Sequence, residues 1–250
     1  MSSYNTFSYF YDRLTDDVDY RKRAALIIEV FKKWDKKPTL LLDLACGTGN
    51  FSVQFAKMGI DVIGVDRSEG MLSEAQEKNS GLKKPVLYLN QSGEELDLFG
   101  TVDGAVCCLD SLNHITDYES LKTCISKVSL FLEPGCLFVF DVNTVYKHRE
   151  ILANNSFRIR RRGVDCLWTN RLLDDGVTVE VNLDFTYKIG LLGKKESASE
   201  SFCERAYSEK EIEAALQEAG FKIEAVYGEN NILPPSENSQ RNLYVARKVN

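Results

Sequence analysis

The sequence is poor in the features that mark membrane, secreted and metal-binding proteins. It has no apolar run near the about 20 residues that a membrane-spanning helix needs. Its first residues contain neither the basic segment nor the apolar segment of a signal peptide. The seven cysteines include no C-x-x-C pair, so neither a structural zinc site nor a disulfide framework is expected. We therefore predict a cytoplasmic protein with reduced thiols, no membrane association and no metal.

Positive charge is also scarce. Lysine and arginine together number 31, against 37 for aspartate and glutamate, which gives a formal net charge of -6 at pH 7. This balance argues against a nucleic-acid-binding protein with a wholly basic surface, although it permits a local basic patch. With 44% hydrophobic residues the composition is that of a globular chain. A length of 250 residues suffices for one large α/β domain or for one domain with an insertion.

Strand-like and helix-like segments alternate over the first 143 residues. Strands are predicted at 39–44, 62–65, 86–89, 102–109 and 136–142, and helices at 20–34, 51–58, 68–78 and 118–132. Ser68 is the expected N-cap of the third of these helices. Strands that alternate with helices are typical of a parallel, doubly wound sheet.

The pattern changes after Asn143. Four strand-like segments, at 157–160, 166–171, 177–187 and 199–205, follow one another without helices, and Asp174-Asp175-Gly176 is a hairpin signal. A helix near 208–219 and strands near 221–227 and 243–247 then resume the first pattern. The sequence predicts a doubly wound, mostly parallel seven-stranded α/β sheet from residues 1–143 and 207–250. Residues 144–206 are predicted to form a small antiparallel β insertion.

A glycine-rich turn, with Gly47 and Gly49, follows the first predicted strand. Such a turn suits a nucleotide, but a tight strand-to-helix turn without a ligand would look the same. The acid at Asp43 discriminates between a dinucleotide and a positively charged ligand. In a dinucleotide site this position lies inside an apolar strand near an anionic pyrophosphate, where an unpaired carboxylate would be repelled and costly to bury. A positively charged ligand fits better, unless Asp43 only caps the following helix.

A second acid, Asp66, ends the second predicted strand, 19 positions after Gly47. An acid at about this distance accepts hydrogen bonds from ribose hydroxyls and would repel a 2′-phosphate. The alternative is a solvated acid at the end of a strand. Together, Asp43 and Asp66 indicate an adenosyl ligand that carries positive charge.

These residues carry a resemblance to a known family. The segment Leu41 to Gly49, Leu-Leu-Asp-Leu-Ala-Cys-Gly-Thr-Gly, resembles the first motif of class I S-adenosylmethionine (SAM)-dependent methyltransferases. The segment Val65 to Leu72 resembles their second motif, and Glu218 to Phe221 extends the similarity over most of the chain. The resemblance is closest to small-molecule methyltransferases with a lid inserted after the fifth strand, a group that includes amino-sugar N-methyltransferases. It implies a Rossmann-like sheet and SAM as the cofactor.

The sequence departs from the family pattern at two positions. Ala45 stands where the family most often has glycine, and alanine is still small enough for close approach of a ligand. Ser92 stands where related enzymes usually place an aspartate near the adenine amino group; serine keeps the ability to accept a hydrogen bond but not the charge.

The resemblance also implies a set of contacts to SAM. Arg67 and Met71 would lie along the adenine and Leu109 beneath the methionine part, although Met71 and Leu109 are equally compatible with core packing. Tyr11 would cover the active site, and Tyr20 would contact the SAM carboxylate. The predicted cofactor-binding residues are Tyr20, Asp43, Ala45, Gly47, Thr48, Gly49, Asp66, Arg67, Met71, Ser92, Gly93 and Leu109.

Few residues offer themselves as a catalytic base. The two histidines, His114 and His148, follow the fourth and fifth predicted strands, and either could accept a proton, although each could equally be a surface or packing residue. The candidates, all weak, are these two and Tyr11. Arg158 and Arg160 to Arg162 form a basic run that either protects a sheet edge or clamps an acidic substrate or a phosphate.

The sequence therefore predicts a SAM-dependent methyltransferase that acts on a small molecule, and an amine nitrogen is the favoured acceptor. Three alternatives remain at this stage: an RNA methyltransferase, a SAM-binding protein without catalysis, and a nicotinamide-dependent oxidoreductase, which conflicts with Asp43. Neither the acceptor nor the oligomeric state follows from the sequence.

Overall fold

Two β-sheets organise the chain, one of seven strands and one of four. The computed structural model describes residues 4–189, 194–229 and 231–249. Residues 1–3, 190–193, 230 and 250 lie outside the described residues, and 190–193 belong to the predicted insertion. The seven-stranded sheet is mostly parallel and carries helices on both faces, and the four-stranded sheet is antiparallel. The predicted fold class is confirmed.

The described elements follow the predicted order closely. The helices are α1 Tyr4–Leu14, α2 Tyr20–Lys33, α3 Asn50–Lys57, α4 Glu69–Glu77, α5 Tyr118–Phe131 and α6 Glu209–Glu218. The strands of the large sheet are β1 Leu40–Leu44, β2 Asp61–Asp66, β3 Leu87–Asn90, β4 Gly104–Cys107, β5 Leu137–Asn143, β10 Phe221–Gly228 and β11 Arg241–Lys248. The strands of the small sheet are β6 Ser156–Arg161, β7 Val164–Leu172, β8 Thr178–Ile189 and β9 Lys194–Arg205. A 3₁₀ turn at Ser111–His114 and a π-helix at Lys147–Leu152 complete the connections.

The strand order of the large sheet is β10-β11-β5-β4-β1-β2-β3. The chain runs outward from β1 to β2 and β3, then returns to place β4 on the other side of β1, with all these pairs parallel. The strand order reverses between β1 and β4, and in open α/β sheets a ligand binds at the carboxyl ends of the strands at such a point. The residues that follow Leu44 and Cys107 therefore form the candidate site.

Side-chain caps and apolar stripes explain where the helices lie. The carboxylate of Asp19 accepts a hydrogen bond from the Lys22 N–H at the start of α2, and Ser68 caps α4 as predicted. Helix α2 buries Ala24, Ile27 and Phe31 at helical spacing against one face of the sheet. Helices α5 and α6 cover the opposite face. The central strands are buried on both sides, which holds their ends in place.

Two regions differ from the sequence-based prediction. Strand β4 ends at Cys107 rather than at Leu109, because Leu109 and Asp110 adopt left-handed backbone conformations with φ of 57° and 52°, which no strand can contain. The N-terminal aromatic segment, for which no helix was predicted, is helix α1. Its apolar partners are distant in the sequence. The Phe10 ring stacks on Phe185 of β8 with the ring centroids 6.2 Å apart.

The small sheet, in the order β6-β7-β8-β9, has an apolar core of its own. Buried residues of β7 and β8, including Cys166, Val181 and Phe185, pack against Phe10 and Leu14 of α1. All seven cysteines are free thiols, as predicted. Within the described part of the chain, no helix combines the length and the apolar character that crossing a bilayer would require.

Candidate cofactor and substrate site

A cleft lies at the switch point between β1 and β4. It encloses about 320 Å³ of space that is open in part to solvent. The turn after β1, the turn after β4 and the two N-terminal helices all contribute to its walls. The lining residues are Tyr11, Tyr20, Asp43, Ala45, Cys46, Gly47, Thr48, Asn50, Phe51, Cys108, Leu109 and Ser111. Seven of the residues predicted from the sequence thus meet in one place.

The turn after β1 has a conformation that depends on its glycines. Gly47 and Gly49 have φ of 54° and 74°, in the left-handed region where glycine has no steric penalty. A Cβ on Gly47 would meet no atom within 4 Å, so the space above this residue is open to a ligand. A Cβ on Gly49 would collide with the Tyr88 hydroxyl. Ala45 also has a positive φ, 53°, so the departure from the family's glycine carries a backbone strain.

Asp43 is buried in β1, with 1% of its surface exposed. Its Oδ2 accepts a hydrogen bond of 2.5 Å from the Ser52 hydroxyl of α3. Burial raises the pKa of the Asp43 carboxyl to about 7, the Ser52 hydrogen bond opposes that shift, and the nearby Asp66 carboxylate adds to it. A positive charge in the adjoining cleft would favour the ionised form, because opposite charges attract strongly in a poorly solvated site.

Asp66, at the end of β2, holds the glycine turn. Its Oδ2 accepts the Gly47 N–H at 2.8 Å and its Oδ1 accepts the Ser68 N–H at 2.8 Å. Burial raises the pKa of Asp66, and the two backbone hydrogen bonds oppose that rise. Each carboxylate oxygen can accept more than one hydrogen bond, so both remain able to receive a ribose hydroxyl.

Helix α1 is fastened to the glycine turn through Asp12. Its Oδ1 accepts hydrogen bonds from Thr48 Oγ1 at 2.6 Å and from Asn50 Nδ2 at 2.8 Å. Its Oδ2 lies 2.6 Å from Lys78 Nζ of α4. Tyr11, the preceding residue, is thereby placed over the cleft. Helix α1 therefore forms one wall of the site and connects that wall to the loop beneath.

The turn after β4 is held by a buried acid of β5. The Asp141 carboxylate accepts the N–H groups of Leu109, at 3.0 Å, and Asp110, at 2.6 Å, the two residues with strained backbones. Arg241 of β11 forms an ion pair with Asp110, and its Nε lies 3.5 Å from Asp141 Oδ1. Burial raises the pKa of Asp141, whereas the Arg241 guanidinium lowers that of Asp110 against the effect of burial. This cluster fixes Leu109 at the floor of the cleft.

The three candidate bases have different surroundings. Burial raises the pKa of Tyr11 well above its ordinary value, with the Tyr20 hydroxyl and the Asp110 carboxylate adding to the effect, so Tyr11 stays protonated. His148 is fully buried, its Nδ1 lies 2.8 Å from the Val177 carbonyl oxygen, and burial lowers its pKa. His114 ends the 3₁₀ turn after β4 and keeps 38% of its side chain exposed. Only His114 of the two histidines reaches open space beside the cleft.

Six of the residues predicted to contact the cofactor are not among those that line the enclosed cleft: Gly49, Asp66, Arg67, Met71, Ser92 and Gly93. Gly49 belongs to the turn after β1, and the other five lie at or after the ends of β2 and β3, on the side where an adenosyl group extending from Gly47 would lie. Arg67 is exposed, whereas Met71 and Ser92 are half-buried. Ser92 Oγ donates to Glu95 Oε2 at 3.1 Å. Their assignment to the adenine stays a prediction.

The arginine run lies on β6, an edge strand of the small sheet. Arg158 donates two hydrogen bonds of 2.8 Å to the Asp165 carboxylate, and Arg160 lies 3.5 Å from the same acid. Arg161 pairs with Asp16 at 2.6 Å. Two acids thus engage three of the four arginines, and Arg162 has no ion-pair partner among the described residues. The interpretation of these charges as edge protection stays a prediction.

Several site residues escaped the sequence analysis: Asp12, Ser52, Asp110, Asp141, Glu204 and Arg241. One of them carried a usable signal. Asp141 stands in the apolar run Leu-Phe-Val-Phe-Asp-Val, the same pattern of an acid inside a buried strand that singled out Asp43. The others look like surface residues in sequence and become site residues only through contacts across the fold, such as the 131-residue separation of Asp110 and Arg241.

The arrangement fits SAM on its own geometry. The buried carboxylate of Asp43 offers a counter-charge to a cation in the cleft, and the open space above Gly47 admits a ligand close to the backbone. The rings of Tyr11 and Tyr20 line the same cleft and suit a sulfonium through cation–π attraction. Asp66 is the predicted acceptor for the ribose hydroxyls. A dinucleotide would instead bring its pyrophosphate toward Asp43.

Comparison with known proteins agrees with this assignment. Residues 41–135 match the family described as "Methyltransferase domain". A solved SAM-dependent methyltransferase from Clostridium acetobutylicum ATCC 824 is 32% identical, with 99% of each chain covered and a TM-score of 0.87. A "Putative methyltransferase" of Geobacillus sp. (strain WCH70) is 30% identical over 247 residues, which cover 98% of this chain and 100% of that protein.

A SAM-bound structure of CalS10, an amino pentose methyltransferase from Micromonospora echinaspora, shares the fold. It is 20% identical, with 93% of this chain and 92% of that chain covered, and its TM-score is 0.74. Sequence identity over the full length, the matched domain and the geometry of the cleft lead to one conclusion. This chain belongs to the SAM-dependent methyltransferases and uses SAM as its cofactor.

Proposed function

We propose that this methyltransferase transfers the methyl group to the nitrogen of a small-molecule amine. The observation that carries the proposal is the roof of the cleft. Helix α1 contributes Tyr11 to the wall of the cleft, and the antiparallel sheet β6–β9 packs on α1 through Phe10 and Phe185. A roof built from these elements would leave room for a small molecule and not for a folded nucleic acid. In this proposal, residues 144–206 serve as the lid over the acceptor.

The proposed chemistry needs little from the protein beyond alignment and removal of one proton. SAM supplies a methyl carbon that is already activated by the neighbouring sulfonium. The chain holds the acceptor in line with that carbon, an effect that is worth several kcal/mol in general. His114 Nε2 accepts the proton that the acceptor nitrogen gives up. The freed electron pair forms the new nitrogen–carbon bond while the carbon–sulfur bond breaks and leaves its pair on sulfur.

The charges at the edge of the small sheet favour this function over RNA methylation. Arg158, Arg160 and Arg161 would be the natural contacts for phosphates, but each is already engaged by Asp165 or Asp16. Arginines that are already paired with acids contribute less to the release of counterions that drives RNA binding. At 20% identity, the likeness to an amino pentose methyltransferase concerns the fold alone and does not identify the acceptor.

A substrate screen tests the proposal. The protein is incubated with methyl-labelled SAM and separate pools of amino sugars, aliphatic amines, amino acids, hydroxylated small molecules and bulk RNA. Mass spectrometry then follows S-adenosylhomocysteine and labelled product. We expect a labelled N-methyl product in an amine pool, and none in a parallel reaction with the Asp66→Ala variant at limiting SAM. Efficient labelling of RNA, or of oxygen atoms alone, would contradict the proposal. The absence of turnover with every pool would favour SAM binding without catalysis.

A further inference from the structure

A buried glutamate on the lid adjoins the candidate base. Glu204 of β9 is 6% exposed, and its Oε1 lies 3.6 Å from His114 Nε2. Among the described residues, the His114 imidazole is the only basic group within ion-pair distance of Glu204, and no donor forms a hydrogen bond to the Glu204 carboxylate. Burial raises the pKa of Glu204, and His114 opposes the rise. A buried acid without a full set of donors is costly, so a partner from outside the chain would stabilise it.

The position of Glu204 is fixed by the main domain and not by the lid alone. Asn113, the residue before His114, donates from Nδ2 to the Arg205 carbonyl at 2.8 Å, and its Oδ1 accepts the Asn143 N–H at 2.8 Å. The Tyr207 hydroxyl donates to the Ile115 carbonyl. These bonds join the end of β9 to the 3₁₀ turn after β4. Glu204 and His114 are therefore held side by side at the junction of lid and sheet.

Aromatic rings lead from this pair to the cofactor cleft. Phe202 lies on the same face of β9 as Glu204, and its ring centroid is 5.1 Å from that of His114. Phe202 is 6.3 Å from Phe7, and Phe7 is 5.3 Å from Tyr11, which lines the cleft. A carboxylate at the end of a row of aromatic faces is the arrangement that recognises organic cations.

Acidic side chains outnumber basic ones around Glu204, as a site for a cation requires. Three carboxylates, of Asp110, Asp141 and Glu204, lie near two basic side chains, Arg241 and Lys147, and burial lowers the pKa of Lys147. The other acid at this end of the molecule, Glu229, is already paired with Arg23 at 2.9 Å.

The other buried acid of β9 provides a contrast. Glu200 accepts the Phe7 N–H of α1 at 2.9 Å, so its carboxylate has a structural partner. Of the two buried acids on this face of the strand, Glu204 alone lacks a hydrogen bond from the described residues. The site therefore has negative charge left for one more cation.

We infer that Glu204, His114 and Phe202 form a cation subsite that binds a protonated aliphatic amine beside the methyl donor. The choice of an amine rests on the proposed function, and the site itself rests on the geometry of these residues. Glu204 holds the ammonium through a charged hydrogen bond, Phe202 offers a ring face, and His114 stands next to the proton that must leave. The methyl acceptor is thereby selected for its charge before it is deprotonated.

Histidine NMR tests the subsite without turnover. The chain has two histidines, so the ring resonances of a histidine-labelled sample are few, and the buried His148 serves as an internal reference. Methylammonium chloride is titrated into the protein saturated with S-adenosylhomocysteine, with potassium chloride at equal ionic strength as the blank. We expect a saturable shift of the His114 resonances with methylammonium only, and no change at His148.

Two variants and a matched control sharpen the result. Glu204→Gln should weaken methylammonium binding about tenfold or more, since it removes a charged hydrogen bond. Glu200→Gln makes the same change four residues away on the same strand face and should bind as the wild type does. Phe202→Leu should weaken binding about threefold through the lost ring, and it serves as the second test if Glu204→Gln fails to fold. A His114 shift that is equal with potassium, or that survives in both Glu204→Gln and Phe202→Leu, would overturn the inference.

The two proposals fail separately. Methyl transfer to oxygen alone in the substrate screen, with a saturable His114 shift intact, would end the proposed N-methylation and leave the cation subsite standing. An N-methyl product without any His114 shift would overturn the cation subsite and leave the proposed N-methylation standing.

Discussion

The Ser52 hydroxyl donates a 2.5 Å hydrogen bond to Asp43, the buried acid next to the last residue of β1. This contact between strand and helix satisfies one carboxylate oxygen at the base of the cofactor cleft. No basic side chain of the described residues pairs with the Asp43 carboxylate. Burial therefore raises the pKa of Asp43 to about 7. Burial in the folded chain therefore favours the protonated form of Asp43, whereas a positively charged cofactor in the cleft favours the ionised form.

The first prediction concerns stability against pH without cofactor. The folded-state pKa of Asp43, about 7, lies above the ordinary aspartate value of 3.8, so the folded protein holds a proton that the unfolded chain releases. This group's contribution is full below pH 4 and is lost as pH rises toward 7, by up to about 4 kcal/mol. In urea unfolding between pH 5 and 8, the free energy of unfolding of Asp43→Asn should therefore fall less with rising pH than that of the wild type. Ser52→Ala is the control that keeps the acid, and an equal pH slope in Asp43→Asn and wild type would contradict the assignment.

The second prediction concerns Asp66 and the affinity for S-adenosylhomocysteine. Asp66→Ala removes the predicted acceptor of two ribose hydroxyls and also frees the N–H groups of Gly47 and Ser68. Hydrogen bonds to a charged group are worth about 1.5–3 kcal/mol each, so calorimetry should show a loss of at least about tenfold in affinity. Asp61→Ala, at the exposed start of the same strand, should bind normally. Unchanged affinity in a folded Asp66→Ala protein would remove this residue from the site.

The third prediction compares two small substitutions in the glycine turn. Ala45→Gly should raise the free energy of unfolding by about 0.5–1 kcal/mol, since relief of the left-handed strain exceeds the entropy cost of glycine. Gly49→Ala should lower it and weaken cofactor binding, because the new Cβ collides with the Tyr88 hydroxyl. Chemical denaturation measures both. A destabilised Ala45→Gly variant would show that the strain at φ 53° is compensated by contacts of the Ala45 methyl group.

The fourth prediction concerns the attachment of α1. Asp12→Ala removes the acceptor shared by Thr48, Asn50 and Lys78 and leaves α1 held to the turn by packing alone. Hydrogen exchange in residues 4–14 should speed up, and S-adenosylhomocysteine should dissociate faster in stopped-flow experiments. Asp16→Ala, which breaks only the pair with Arg161, is the matched control on the same segment. Equal dissociation rates in the two variants would show that α1 does not retain the cofactor.

The fifth prediction separates the two histidines. His114→Ala should lower kcat by about a hundredfold or more, as expected for loss of a general base, with unchanged affinity for S-adenosylhomocysteine. His148→Asn retains a donor for the Val177 carbonyl and should leave kcat unchanged while lowering stability. Initial rates on the acceptor found by the substrate screen decide between them. A loss of kcat in His148→Asn with normal kcat in His114→Ala would instead identify His148, in the π-helix after β5, as the base.

The parts of the site that lie close together in the sequence were predictable. Asp43, Gly47 and Gly49 share one turn, and Asp66 follows at a fixed spacing because one helix and one strand separate it from that turn. Their chemistry is local, so the pattern of residue types is sufficient. The strand and helix boundaries likewise follow from periodicity and caps, as at Ser68.

The remaining parts depend on contacts that no local pattern encodes. Helix α1 has its aromatic partner Phe185 about 175 positions away, so its apolar face could not be assigned to a neighbour. The charged cluster of Asp110 and Arg241 spans 131 positions. The end of β4 was misplaced because the strain at Leu109 is imposed by Asp141 of another strand. Glu204 looked like one of many acids in a polar strand until Asn113 brought it beside His114.

Helix α1 holds the cofactor turn with Asp12 and carries Phe7 and Tyr11 in the wall that leads to the acceptor. Any movement of α1 that admits the cofactor must therefore also open that wall. An acceptor arriving first would find its pocket incomplete, so we expect steady-state kinetics of the ordered type, with SAM adding before the acceptor and S-adenosylhomocysteine departing last. Product inhibition by S-adenosylhomocysteine should then be competitive with SAM and noncompetitive with the acceptor.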